Sequence, residues 1–177
     1  MTRLAPIAFA LILSACGTPE GRATAGGETA GPAYTIGPEG AGGLKAATPF
    51  TVPAMERAFP RLEVVTVSAP DTPAFHVREP GSLAPIYVVT PDWTRGYAGA
   101  VATSDPGVEG AGGLRVGVTR YSGLPQGWQG RCVEEAGPSG NGYTCEQQAE
   151  GAGFRLEFVP DEDDPLLSRM IFLPPVP

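Results

Sequence analysis

His76 is the single histidine of the 177-residue chain, so an imidazole general base working near neutral pH would have to be this side chain. It stands between Phe75 and Val77 in a strand-like run, and no Gly-x-Ser-x-Gly elbow accompanies it. A Ser-His-Asp site is therefore not expected, and His76 reads as a strand residue facing solvent. The run Asp161-Glu162-Asp163-Asp164 offers hard oxygen ligands of the kind calcium takes. It lacks the alternating spacing and central Gly of an EF-hand loop, so it reads as a solvated acidic turn before Pro165. The Gly-rich elements at Gly40 and Gly110 carry no following Gly-Lys-Ser/Thr and read as tight turns at strand ends rather than phosphate cradles. No metal or cofactor is expected, and the chain should act by binding rather than catalysis. Trp93, Arg95, Tyr97, Arg120, Tyr121 and Trp128 lie in Gly/Pro-rich stretches and form the candidate binding surface. The competing reading of these aromatics is that they cap the open end of a sheet.

The three cysteines divide by position. A cation at Arg3, an apolar run to Leu13 and the small residues Ser14 and Ala15 make a secretory signal too short to span a bilayer. Leu13-Ser14-Ala15-Cys16 resembles a lipobox, the element in which the thiol is diacylated, the preceding bond is cut and the new N-terminus is acylated. Cys16 is thus the expected lipidation site, and several acyl chains at about 0.8 kcal/mol per buried methylene would anchor the chain stably. Export to an oxidising compartment leaves Cys132 and Cys145 to pair as a disulfide. The loop between them contains Gly137-Pro138-Ser139-Gly140-Asn141-Gly142, a dense turn signal, so the bond is expected to staple a hairpin.

A formal charge of -7 gives no footprint for nucleic acid and would be repelled by anionic lipid, so membrane attachment must come from the acyl anchor. Residues 1–15 read as signal peptide, 16–33 as lipidated Cys and flexible linker, and 34–177 as one domain. The linker GTPEGRATAGGETAGP lacks a large apolar residue and has a reach of roughly 20–25 Å. Neither Gly17 nor Thr18 is the Asp that retains many lipoproteins in the inner membrane. The expected location is the outer membrane, with the domain facing the periplasm.

The elements that must position these residues are mostly strands. Thr51 to Phe59 has Pro53 at a first helical position, apolar Met55, Ala58 and Phe59 at helical spacing, and Pro60 as a stop, which predicts a short helix. Leu62 to Val67, Phe75 to Arg78 and Ile86 to Thr90 predict strands, the last two as a hairpin with a longer loop. Further strands are predicted at Gly99 to Thr103, Leu114 to Thr119, Arg131 to Glu134, Tyr143 to Gln147, Phe154 to Val159 and Met170 to Leu173. The pattern argues for an α+β domain, mainly antiparallel sheet with one or two short helices. Glu39-Gly40-Ala41-Gly42-Gly43-Leu44-Lys45 recurs as Glu109 to Arg115 with one Lys-to-Arg change, which suggests two repeated half-units.

The order of several motifs resembles the RpoE-regulated lipoprotein family, domain of unknown function 1131. They run from the lipobox and short linker through Thr48-Pro49-Phe50, Ala58-Phe59-Pro60, Gly113-Leu114-Arg115-Val116-Gly117, Gly130-Arg131-Cys132, Ser139-Gly140 and Cys145 to Leu167-Ser168-Arg169-Met170-Ile171-Phe172. The family's closing segment usually carries a Trp where this chain has Phe172-Leu173-Pro174. The resemblance implies an envelope lipoprotein without established chemistry, whose partner would be another envelope protein. A second likeness, through the repeated Gly-rich element and short helix, is to small lipoproteins that assist outer-membrane barrel assembly. A hydrolase of the envelope is the competing class, and it would need a polar cluster that the linear order does not display.

Overall fold

The computed structural model describes residues 34–68, 72–137, 140–149, 151–161 and 164–175. The expected signal, Cys16, the linker, Glu162 and Asp163 lie outside them. In chain order the elements are β1 (Tyr34–Gly37), β2 (Gly40–Ala41), α1 (Val52–Ala58), β3 (Glu63–Ser68), β4 (Pro73–Arg78), β5 (Tyr87–Pro91), β6 (Ala98–Thr103) and β7 (Val108–Gly110). There follow α2 (Gln126–Gln129), β8 (Cys132–Gly137), β9 (Gly140–Ala149), β10 (Ala152–Val159) and β11 (Leu166–Leu173). The fold is α+β, dominated by antiparallel sheet with two short helices, as the sequence predicts.

Eight strands make one antiparallel sheet in the order β3-β4-β5-β6-β11-β10-β9-β8. Side-chain alternation along each strand divides the sheet into two faces. One row on the inner face runs Thr66, Phe75, Val89, Val101, Phe172, Phe154, Gln147 from β3 to β9, and all its members between Phe75 and Phe154 are buried. The row directly outside it runs Val65, His76, Val88, Ala102, Ile171, Arg155, Glu146. One face is therefore core, and the other mixes apolar with charged residues.

The inner face is covered by α1, by a small sheet and by the segment around α2. Pro53 opens α1 in its first turn, where a missing N–H costs no helical bond, and Met55 and Ala54 are buried beneath it. Phe59 closes the helix through its N–H to the Met55 carbonyl at 2.9 Å and lays its ring 5.4 Å from Tyr87. The Tyr87 hydroxyl donates to the Thr35 carbonyl at 2.9 Å, tying the large sheet to β1, and burial pushes its pKa well above the usual value near 10. Gly110 lets the small sheet approach β11, since a Cβ there would collide with the Met170 sulfur and crowd Leu114.

The repeated heptads meet on one residue. Ile36 of β1 pairs antiparallel with Ala41 of β2 and parallel with Gly110 of β7. Leu44 and Leu114 are both buried beneath the resulting small sheet. The turns are set one residue apart, since the Leu44 N–H reaches the Ala41 carbonyl whereas the Gly113 N–H reaches the Gly110 carbonyl, each at 3.0 Å. β2 and β7 run in opposite directions, yet each copy is followed by a short helix, α1 or α2, and then by a four-stranded antiparallel meander, β3-β4-β5-β6 or β8-β9-β10-β11, and the two meanders meet at β6 and β11.

The strand expected at Leu114 to Thr119 is a correction. The apolar residues Leu114, Val116 and Val118 recur at strand spacing, but Gly117 takes a left-handed φ of 72° and the segment turns, so that Leu114 and Val116 are buried while Val118 is exposed. Reciprocal bonds close it, from the Arg115 N–H to the Thr119 hydroxyl and from the Thr119 N–H to the Arg115 carbonyl, both 2.9 Å.

Cys132 and Cys145 form a disulfide between directly paired residues of the β8–β9 hairpin. Gly137 pairs with Gly140 at its turn. Because β8 is an outermost strand with one neighbour, the bond holds a strand that would otherwise fray. Replacing both cysteines by Ala should cost about 2–4 kcal/mol. Urea unfolding should show this as a lower midpoint with an unchanged slope; an unchanged midpoint would mean that the hairpin is held by packing alone.

Candidate functional site

The six residues expected to form one surface are separated by the fold. Trp93, Arg95 and Tyr97 occupy the turn between β5 and β6. β11 is antiparallel to β6, so its start at Leu166 lies at the far end of the strands from Ala98. Arg120 and Tyr121 belong to that far end, because Arg120 bridges to Leu166 and the Tyr121 N–H reaches the Pro165 carbonyl. Trp128 is only 8% exposed and packs edge-on against Phe154 at 5.8 Å, in the core. Its place on the candidate surface is corrected. Leu124, in the extended stretch before α2, and Trp128, within it, are both buried.

The β5–β6 turn is built around one carboxylate. Asp92 accepts from the Thr94 hydroxyl at 2.7 Å and from the Gly96 and Tyr97 N–H groups, each at 3.1 Å. The Asp92 backbone N–H reaches the Tyr97 carbonyl at 2.8 Å, and the Arg95 N–H reaches the Asp92 carbonyl at 3.0 Å. Desolvation of Asp92 opposes ionisation, but the Thr94 hydroxyl and the backbone N–H groups outweigh it and hold the carboxyl below its usual range. Arg95 adopts a left-handed φ of 60°, a conformation that strains a non-Gly residue and that these bonds sustain. Gly99 lets the turn fold down, since a Cβ there would lie 2.6 Å from the Asp92 backbone. The segment leading into α1 braces the turn through the Phe50 N–H to the Gly96 carbonyl and the Ala98 N–H to the Thr48 carbonyl. Trp93 projects from this scaffold 90% exposed. A large rigid side chain held in water on a braced turn is a preorganised contact.

The far end is a second polar cluster. Arg120 pairs with Asp161 at 2.8 Å and donates to the Asp164 carbonyl at 2.8 Å. Asp164 accepts from the Ser122 hydroxyl at 2.6 Å and the Ser122 N–H at 3.1 Å, which lower its pKa against desolvation, with help from the Arg120 charge. Tyr121 stacks on Tyr143 with centroids 4.0 Å apart and meets Phe158 edge-on. The described carboxylates of the acidic turn are therefore committed to Arg120 and Ser122, and this end closes the core under β9 and β10.

On the outer face, a cleft of about 660 Å³ lies over β8, β9, β10 and β11, lined among others by Arg131, Val133, Thr144, Glu146, Arg155 and Glu157. Arg155 Nε donates to Glu146 at 2.7 Å, and the Thr144 hydroxyl donates to Glu135 at 2.9 Å. Arg131 and Val133, Thr144 and Glu146, and Arg155 and Glu157 stand at alternate positions of three predicted strands, but only the pairing makes them adjacent. A smaller hollow of about 480 Å³ beside it has Ala84, Pro85, Val88, Ala102 and Pro106 in its lining, with Arg169 at one side. His76 lies on the same face four strands from Arg155, about 19 Å at ~4.8 Å per strand. Its direct cross-strand neighbours are Val65 and Val88, which offer no carboxylate or hydroxyl to an acid–base relay.

These features define a class: a two-layer α+β domain with one open face on an eight-stranded antiparallel sheet, a stapled edge hairpin and a braced aromatic turn. Neither a family model nor a curated protein matches the sequence. Among solved structures, the uncharacterized protein yfeY from Escherichia coli is similar at 20% identity, covering 78% of this chain and 99% of that one, with a TM-score of 0.48.

Two variants separate the scaffold of the turn from what it presents. Trp93→Ala should leave unfolding stability within about 0.5 kcal/mol, because an exposed indole contributes little burial. Asp92→Ala should destabilise the domain at neutral pH and flatten its acid limb. A carboxyl whose folded pKa is depressed contributes fully above its unfolded value near ~3.9, and loses that contribution as pH falls through the lowered folded value. Urea titrations between neutral and strongly acid pH check this; an acid limb identical to that of the unsubstituted chain would remove Asp92 as the brace.

Proposed function

We propose that this protein is a lipoprotein of the bacterial outer membrane, anchored through acylated Cys16, whose periplasm-facing domain acts by binding another envelope protein. The observation that carries the reading is the Cys132–Cys145 disulfide. Such a bond belongs to an oxidising compartment and accounts for two of the three cysteines. The remaining one, Cys16, stands directly after the cation, apolar run and small pair of an export signal. The order of motifs that resembles the RpoE-regulated lipoprotein family supports the same assignment.

Trp93 and Arg95 are the contact residues of this reading. They sit on the braced turn, while the domain is entered at Tyr34, whose hydroxyl donates to Glu79 just past the end of β4 at 2.9 Å. β4 and β5 are antiparallel, so Tyr34 and Trp93 lie at opposite ends of that hairpin. A tether entering at Tyr34 leaves the indole at the end of the domain away from its attachment. An accessory role in outer-membrane barrel assembly is the form of this binding role that the second sequence likeness favours.

Labelled palmitate should enter the unsubstituted protein and not its Cys16→Ala form, which should be lost from the outer-membrane fraction. Palmitate labelling of the Cys16→Ala protein, or its undiminished recovery from the outer membrane, would overturn the lipid anchor. With the anchor intact, in-cell crosslinking to a defined envelope protein should fall at least tenfold in Trp93→Ala, and undiminished crosslinking would remove the turn from the contact.

A further inference from the structure

An open sheet has two edges, and here they differ. At one edge β8 carries the disulfide and the adjacent carboxylates Glu134 and Glu135. Charged side chains on an edge oppose pairing with another chain. At the other edge β3 reads Glu63-Val64-Val65-Thr66-Val67-Ser68, pairs with β4 in unbroken register, and among the described residues has no strand on its free side. It contains no Pro, no bulge and no charge after Glu63. Val64, Val65 and Val67 are only half-buried. Apart from Glu63 at its start, none of the usual devices that blunt a sheet edge is present among the described residues, so the free backbone groups of β3 are available to a further strand.

We propose that β3 is a dimerisation edge, pairing antiparallel with β3 of a second copy of this chain about a two-fold axis. The occupant follows from self-complementarity. Residues facing each other across an antiparallel pair must point to the same side of the sheet. A two-fold axis meets this requirement only when centred on a residue, because only then does each side chain oppose one of equal parity. Centring on Thr66 sets Val65 against Val67 of the second copy on the outer face, with Val67 against its Val65. On the inner face Thr66 meets Thr66 and Val64 meets Ser68. No charge opposes a like charge, and Glu63 falls outside the valine pairs. The interface is isologous and closes at two chains, so it does not propagate into a filament. In a chain of net charge -7, β3 is the sheet edge at which two copies can approach without setting carboxylates against each other. Pairing would also set the outer row Val65, His76, Val88, Ala102, Ile171 of each copy against Val67 and Ala74 of the other.

The dimer is independent of the anchor and of Trp93, and is tested on the oxidised Cys16→Ala chain by sedimentation equilibrium over a hundredfold concentration range. The unsubstituted edge should approach a two-chain mass as concentration rises. V65K/V67K and V65E/V67E each place like charges face to face and should sediment as one chain, whereas their equimolar mixture should recover the two-chain mass by setting opposite charges together. That recovery also shows that neither variant has failed to fold, and T66K, a single change on the axis, gives an independent one-chain arm. A one-chain mass for the unsubstituted edge throughout the range would overturn the proposal, whether or not β3 accepts an extended segment of another protein. A two-chain mass for both charged variants alone would overturn it equally.

Discussion

Register in the eight-stranded sheet is the constraint on which the rest of this molecule depends. A slip of one residue in any pairing would turn Phe75, Val89, Val101, Phe172 and Phe154 out of the core and put His76, Val88, Arg155 and Glu146 into it. The cost of burying charged groups without partners exceeds anything a slipped strand could recover. Register is held at one outer strand by the covalent pairing of Cys132 with Cys145, and in the middle by the continuous aromatic and aliphatic row. The same alternation places a polar cleft and an apolar hollow side by side on the open face.

Stability and presentation are assigned to different aromatics. Trp128, Phe154, Phe172 and Tyr87 are buried and supply apolar area to the core, while Trp93 supplies almost none. Trp93 is held by polar bonds within its turn, centred on a carboxylate that must be ionised to accept three donors. The turn therefore keeps its shape through local hydrogen bonding, and its tip is free to be specified by contact with something else. Arg120 and Tyr121 have the opposite character, since their polar and stacking partners all lie within the domain.

The strands most legible in the sequence were those with β-branched or aromatic residues on one face. β3, β4, β5, β10 and the hairpin of β8 with β9 declared themselves by alternation and turn residues, and α1 by Pro53 and Pro60. The Gly-rich heptads read as tight turns at strand ends, and they end β2 and β7. β1, β2 and β7 did not show as strands, because two to four residues are too few to establish a period and their pairing is supplied by segments about seventy positions apart. Leu114 to Thr119 misled because apolar residues at every second position do not make a strand when Gly117 takes a left-handed conformation and turns Val118 out to solvent.

What the sequence by itself determined is local chemistry: a cation, an apolar run and a small pair before Cys16, two cysteines flanking a turn-rich segment, a short proline-bounded helix and a series of one-faced strands. Each of these depends on neighbours within a dozen or so residues, whose types and spacing carry the physical cause. Tertiary structure alone decided that the six aromatic and arginine residues divide among the Trp93 turn, the Asp164 end and the core. It alone set His76 about four strands from Arg155 and left β3, among the described residues, with a neighbour on one side only. These outcomes follow from strand order, which is chosen by the burial of one whole sheet face against α1, the small sheet and the segment around α2. That choice is made collectively by residues far apart in the chain, so no single stretch of sequence contains it.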